Sequence, residues 1–116
     1  MSTLIARRCE ACKPGTPPLS EEVIQRLLQE VPGWQVAGNR VAKDYQFKNF
    51  HETMAFVNAL AWVAHQEDHH PDLEVSYGRC RVVYWTHTVS GLSLNDFICA
   101  AKIEALFFAP GPSSQA

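Results

Sequence analysis

Cationic runs, phosphate-binding loops and long apolar segments are all missing from this chain, and each absence removes a class of function. Ten Lys and Arg face twelve Asp and Glu, a formal charge of −2 with no basic stripe. Sequence-independent nucleic-acid binding rests on many cationic phosphate contacts, so direct nucleic-acid binding is not expected. No stretch free of charge is longer than Thr53 to Gln66, which is too short to cross a bilayer and contains Asn58 and His65. Arg7-Arg8 is followed by Cys9, Glu10, Cys12, Lys13 and three prolines rather than by an apolar export segment. A cytoplasmic, reducing location is therefore expected, with Cys9, Cys12, Cys80 and Cys99 as free thiols. There is no Gly-rich phosphate loop, no Gly-x-Ser-x-Gly elbow and no His-Glu-x-x-His pair.

What is present suits one domain with a substantial core: 116 residues, 47% hydrophobic and 19% charged. Residues 1–18 read as a flexible leader, because Lys13-Pro14-Gly15-Thr16-Pro17-Pro18 sustains neither helix nor sheet. Ser20 caps a helix with Glu21 and Glu22 in its first turn and Val23, Ile24, Leu27, Leu28 and Val31 on one face. Pro32-Gly33 stops it. From Trp34 to Phe47 the pattern alternates around Gly38-Asn39, which reads as a hairpin. Asn49 with Glu52 opens a long helix carrying Phe50, Phe56, Val57, Leu60, Ala61 and Ala64. Pro71 requires that helix to end by about His69 or His70. Leu73 to Tyr77 and Cys80 to Thr88 form a second hairpin. Ser93, with Asp96 three residues on, opens the last helix, faced by Phe97, Ile98, Ala101, Ala105 and Phe108. The order αββαββα predicts an α+β fold, one four-stranded antiparallel sheet with helices on a single face, spanning residues 19–108 before a loose tail over 109–116.

The chemistry concentrates in His69-His70-Pro71, His87 and Asp96. Histidine titrates nearest neutrality, so this set suggests proton transfer on a small neutral substrate. Each member also has a plainer reading. Histidines at a helix C-terminus favour its dipole, His87 alone is a surface residue, and Asp96 is a first-turn helix carboxylate. Asp96 is also suited to fix the tautomer of His87. His65 and His69, four apart, raise a metal site as an alternative, with His70 or His87 adding a ligand. Cys9-x-x-Cys12 is a weak signal for zinc or redox chemistry. Cys80 and Cys99 fall in core elements and are read as packing residues, as are most of Trp34, Tyr45, Phe47, Trp62, Tyr84 and Trp85.

His69-His70-Pro71-Asp72, then Tyr84-Trp85-Thr86-His87, then Gly91-Leu92-Ser93-x-x-Asp96 closely resemble the signature of the pterin-4a-carbinolamine dehydratases. Pro32-Gly33-Trp34 and Phe47-Lys48-Asn49-Phe50 resemble earlier landmarks of that family. The Cys-Glu-Ala-Cys leader is similar to that of bacterial members that accompany phenylalanine hydroxylase. The resemblance implies a hydro-lyase that converts 4a-hydroxytetrahydropterin to quinonoid dihydropterin and water in tetrahydrobiopterin recycling. It implies no metal and no cofactor, a homodimer or homotetramer, and a functional link to phenylalanine hydroxylase. Carried over by position, His69, His70 and His87 bind substrate and move protons. Pro71, Thr86, Thr88 and Val89 line the pterin site, and Asp96 supports it. His65 stands where the family often has glutamate. A regulatory dimerisation partner is the alternative in a different class, and a His-rich metal-binding protein is a third.

Overall fold

The computed structural model describes residues 3–107. Phe108 and the 109–116 tail lie outside the described residues. Ser20 accepts a hydrogen bond from the Val23 amide and starts α1 (Glu21–Leu28), a cap worth about 1 kcal/mol. β1 (Gln35–Ala37) and β2 (Arg40–Gln46) form the first hairpin. Its turn carries Gly38 at φ 62°, a left-handed conformation that glycine adopts without steric cost. Asn49 accepts from the Glu52 amide at 2.8 Å and opens α2 (Phe50–Glu67).

β3 (Asp72–Ser76) and β4 (Arg79–Tyr84) follow, then a single 3-10 turn over His87–Val89 and α3 (Leu94–Glu104). The strands make the one antiparallel sheet that the sequence pattern predicts, in the order β1-β2-β4-β3. In the β2–β4 register Val41 lies opposite Tyr84 and Tyr45 opposite Cys80, which puts their side chains on one face with Val82. All five are buried among Ile24, Leu27, Phe56, Leu60, Phe97, Ile98 and Ile103 of the helices. The other face carries Asp44, held by Arg79 at 3.1 Å and Arg81 at 3.3 Å. Such exposed pairs contribute little. Among the described residues no helix is long and apolar enough to cross a membrane.

One expectation is met and one is corrected. α2 ends at Glu67, inside the limit that Pro71 sets, because Asp68 takes a left-handed conformation (φ 51°) and turns the chain out. His69 and His70 thus lie beyond the helix. The leader, expected to be flexible, is laid against α3. Leu4 is buried in the core, the Lys102 ammonium donates to the Ile5 carbonyl at 2.7 Å, and Asn95 pairs with both backbone groups of Glu10. Apolar side chains and polar anchors on the body outweigh the effect of the prolines further along. Leu60, 1% exposed at the centre of α2, tests the packing. Leu60→Ala is expected to lower the unfolding free energy by about 2–5 kcal/mol in urea titration, and a change under about 1 kcal/mol would contradict the core described here.

Candidate active site

Asp96 is fully buried at the first turn of α3, and a buried carboxylate must find donors. It finds three. Oδ2 accepts from the Ser93 amide at 2.9 Å and from the Thr86 hydroxyl at 2.8 Å. Oδ1 meets His69 Nε2 at 2.6 Å. One carboxylate therefore serves as helix cap and as imidazole partner.

His69 is fixed from several sides. Its amide donates to the Ala64 carbonyl at 3.2 Å, and its carbonyl accepts from the Tyr84 hydroxyl at 3.1 Å. Its ring stacks on Tyr84 with centroids 5.1 Å apart. Burial by itself disfavours the protonated ring. The Asp96 hydrogen bond and charge outweigh that, with help from Cys99 and Asp68, so the imidazole holds its proton to a higher pH than usual. Among the described residues no protein atom hydrogen-bonds Nδ1.

His69 faces a cleft of about 340 Å³, within the range of small-molecule sites. Thr86 and Thr88 form one wall, Cys9 to Cys12 of the leader another, and Glu67, Asp68 and Asn95 complete it. Thr86 is positioned by a bridge to Gly91, its amide donating to the Gly91 carbonyl at 2.8 Å.

Of the residues singled out from sequence, His69, Thr86 and Thr88 line this cleft and Asp96 lies beneath it. His87 sits between the two threonines in the chain, yet its ring is exposed and lies over Trp85, 3.8 Å between centroids. His70 is exposed and does not line the cleft, nor do half-buried Pro71 and buried Val89. His65 is exposed on α2. Asp96 orients His69 and not His87, because the turn at Asp68 delivers His69 to the start of α3. Cys80 and Cys99 are buried, as expected.

Sequence reasoning gave no role in this site to Glu67, Asn95 or Tyr84. Glu67, 9% exposed, accepts from the Cys9 amide at 2.7 Å and pairs with Arg8 at 3.3 Å and Lys102 at 3.7 Å. Burial alone would raise its carboxyl, but the Cys9 amide and the two cations hold it below the usual range. The signal was its place on the buried stripe Thr53, Phe56, Leu60, Ala64, Glu67.

Fold and site together define a small α+β protein whose buried carboxylate–imidazole pair borders a polar cleft. The chain belongs to the pterin 4 alpha carbinolamine dehydratase family, whose model matches residues 17–106. A protein of Nitrosomonas eutropha is 56% identical over 104 residues, covering 89% of this chain and 92% of its own. One of Chromobacterium violaceum is 55% identical over 102 residues, covering 86% and 94%. Both are provisionally named pterin-4-alpha-carbinolamine dehydratases. The crystal structure of a transcriptional coactivator/pterin dehydratase from Brucella melitensis matches with a TM-score of 0.73 at 31% identity, over 77% of this chain and 97% of that one. A pterin dehydratase-like RuBisCO assembly factor of the alpha-carboxysome shares the fold alone, at 21% identity and a TM-score of 0.57, over 66% of this chain and 92% of its own.

The raised proton affinity of His69 fixes the sign of a pH effect. The pair stabilises the fold fully below the unfolded histidine value of about 6.5, and that stabilisation is lost as pH rises through the higher folded value. Asp96→Asn should move the His69 titration, followed by NMR, to lower pH. It should also cost more stability near about pH 6 than near about pH 9. An unmoved titration would remove Asp96 as the cause.

Proposed function

We propose that this protein dehydrates 4a-hydroxytetrahydropterin to the quinonoid dihydropterin, with histidines as acid and base. The observation that carries the reading is the His69–Asp96 pair beside a cleft sized for a bicyclic ring. The family and the names of the relatives support the same substrate class.

The reaction asks for two proton movements. The 4a-hydroxyl leaves as water only when it receives a proton, and a ring nitrogen must release one. His69, whose hold on its proton is strengthened by Asp96 and whose Nδ1 has no hydrogen-bond partner among the described residues, gives its proton to the departing oxygen. Asp96 then holds the neutral ring in place through Nε2. His87, on the segment between Thr86 and Thr88, turns its exposed ring from Trp85 toward the cleft to accept the ring-nitrogen proton, and exposed His70 turns in to grip and orient the pterin. Thr86 and Thr88 contact its polar edge, with Pro71 and Val89 behind them. The chemistry is proton transfer throughout, so the proposal includes no metal and no organic cofactor. It also includes a cytoplasmic homodimer or homotetramer that regenerates pterin for an aromatic amino-acid hydroxylase such as phenylalanine hydroxylase.

A second reading, a non-catalytic partner protein, draws on the Brucella melitensis neighbour, named both as a transcriptional coactivator and as a pterin dehydratase, and on Trp62, 64% exposed on α2. Rates separate the two. His69→Ala is expected to lower kcat/KM for carbinolamine dehydration by roughly a hundred- to ten-thousand-fold. His87→Ala should reduce it too, and both proteins should stay folded by circular dichroism. Wild-type activity should survive exhaustive chelation. Full activity of His69→Ala would end the catalytic reading, and loss on chelation that zinc restores would end the metal-free one.

A further inference from the structure

We propose that Cys9 and Cys99 are a thiol pair that forms a reversible disulfide, pinning the leader across the cleft. Their sulfurs are 3.6 Å apart, and a bond of about 2.05 Å needs an approach of only roughly 1.5 Å. The backbone around Cys9 is held on both sides. Its amide bonds to buried Glu67, and the next residue, Glu10, is clamped by Asn95 at 3.1 and 2.7 Å. Cys99 is fully buried on α3, whereas Cys9 is half-buried and lines the cleft, which gives a small oxidant its route.

The two sulfurs are hydrogen-bonded to each other. The bond from Cys9 holds the Cys99 thiol below its ordinary value against the effect of burial. The proton stays on Cys9, whose own value rises chiefly through that same bond. Cys99 is thus suited to be the resolving thiol, attacking once the more accessible Cys9 has been oxidised.

With hydrogen peroxide as oxidant the step balances. Cys9 releases its proton to solvent as its sulfur attacks one peroxide oxygen. The O–O bond breaks, leaving a sulfenic acid on Cys9 and a hydroxide that takes a solvent proton to become water. Cys99 releases its proton to solvent and attacks the Cys9 sulfur. The S–S bond forms, the S–O bond breaks, and the departing hydroxide is protonated to a second water. Two electrons pass from the sulfurs to the peroxide, and a dithiol reductant reverses the change.

Oxidation ties the wall formed by Cys9 to Cys12 covalently to α3.

The test treats the full chain with equimolar hydrogen peroxide and maps its peptides without reduction. The expected result is an intramolecular Cys9–Cys99 link, lighter by two hydrogens, present in wild type, Cys12→Ser and Cys80→Ser and absent in Cys99→Ser. It should raise Tm by several degrees, reversed by dithiothreitol. A Cys9–Cys12 link in wild type, or Cys9 oxidised to sulfinic acid with Cys99 still a thiol, would overturn the proposal. Both readouts stand whether or not the protein is a dehydratase. Even if Cys99→Ser fails to fold, the wild-type and Cys12→Ser maps decide the pairing.

Discussion

The site depends on the solvation of one carboxylate. Asp96 has no contact with water, and an ionised group so placed is tolerated only when the protein supplies what water would have given. Its donors come from three parts of the chain: Ser93 at the start of α3, Thr86 after β4, and His69 after the turn that ends α2. Satisfying Asp96 therefore fixes the relative positions of those segments. A buried ion pair is weak evidence for net stability, since desolvation offsets much of its attraction. Its effect here is positional: it sets the tautomer and orientation of an imidazole that no helix or strand holds.

The neighbouring constraints act on the same point. Asp68 accepts a left-handed backbone, which costs a non-glycine residue about 1–2 kcal/mol, and that turn aims His69 at α3. Tyr84 is completely buried, with its ring against the imidazole and its hydroxyl on the His69 carbonyl. Ser90, the other non-glycine residue at positive φ among those described, ends the turn after His87 and returns the chain to pair Gly91 with Thr86. Both strained residues flank the site.

Periodicity made the fold legible. α1, α2, α3 and both hairpins follow from apolar spacing and from Ser20, Asn49 and Ser93 at the caps, each a local signal. The family signature picked out His69, Thr86 and Asp96. The pairing of Asp96 was not legible, because the choice between His69 and His87 turns on where α2 releases the chain, and that rests on the conformation of Asp68. The leader was misread for the complementary reason. Prolines after residue 13 are visible in sequence, but the anchor is Glu67, a carboxylate on an otherwise apolar stripe. A charged residue continuing Thr53, Phe56, Leu60 and Ala64 at helical spacing must be paired or misplaced, and here it is paired.

That anchor links the two halves of the cleft. Glu67 ends α2 one residue before the turn that carries His69, and it holds Cys9 by its amide. Its depressed proton affinity keeps it charged through neutrality, so the leader wall and the imidazole wall share one rigid support. The space between them is bounded mainly by hydroxyl, amide, carboxylate and imidazole groups with few apolar surfaces. Such a lining suits a flat heterocycle rich in donors and acceptors, which exchanges water for protein partners on entry. An apolar ligand would leave those groups unpaired, at about 1–3 kcal/mol for each one buried. The selectivity of the cleft is therefore set as much by the leader that covers it as by the histidine that borders it.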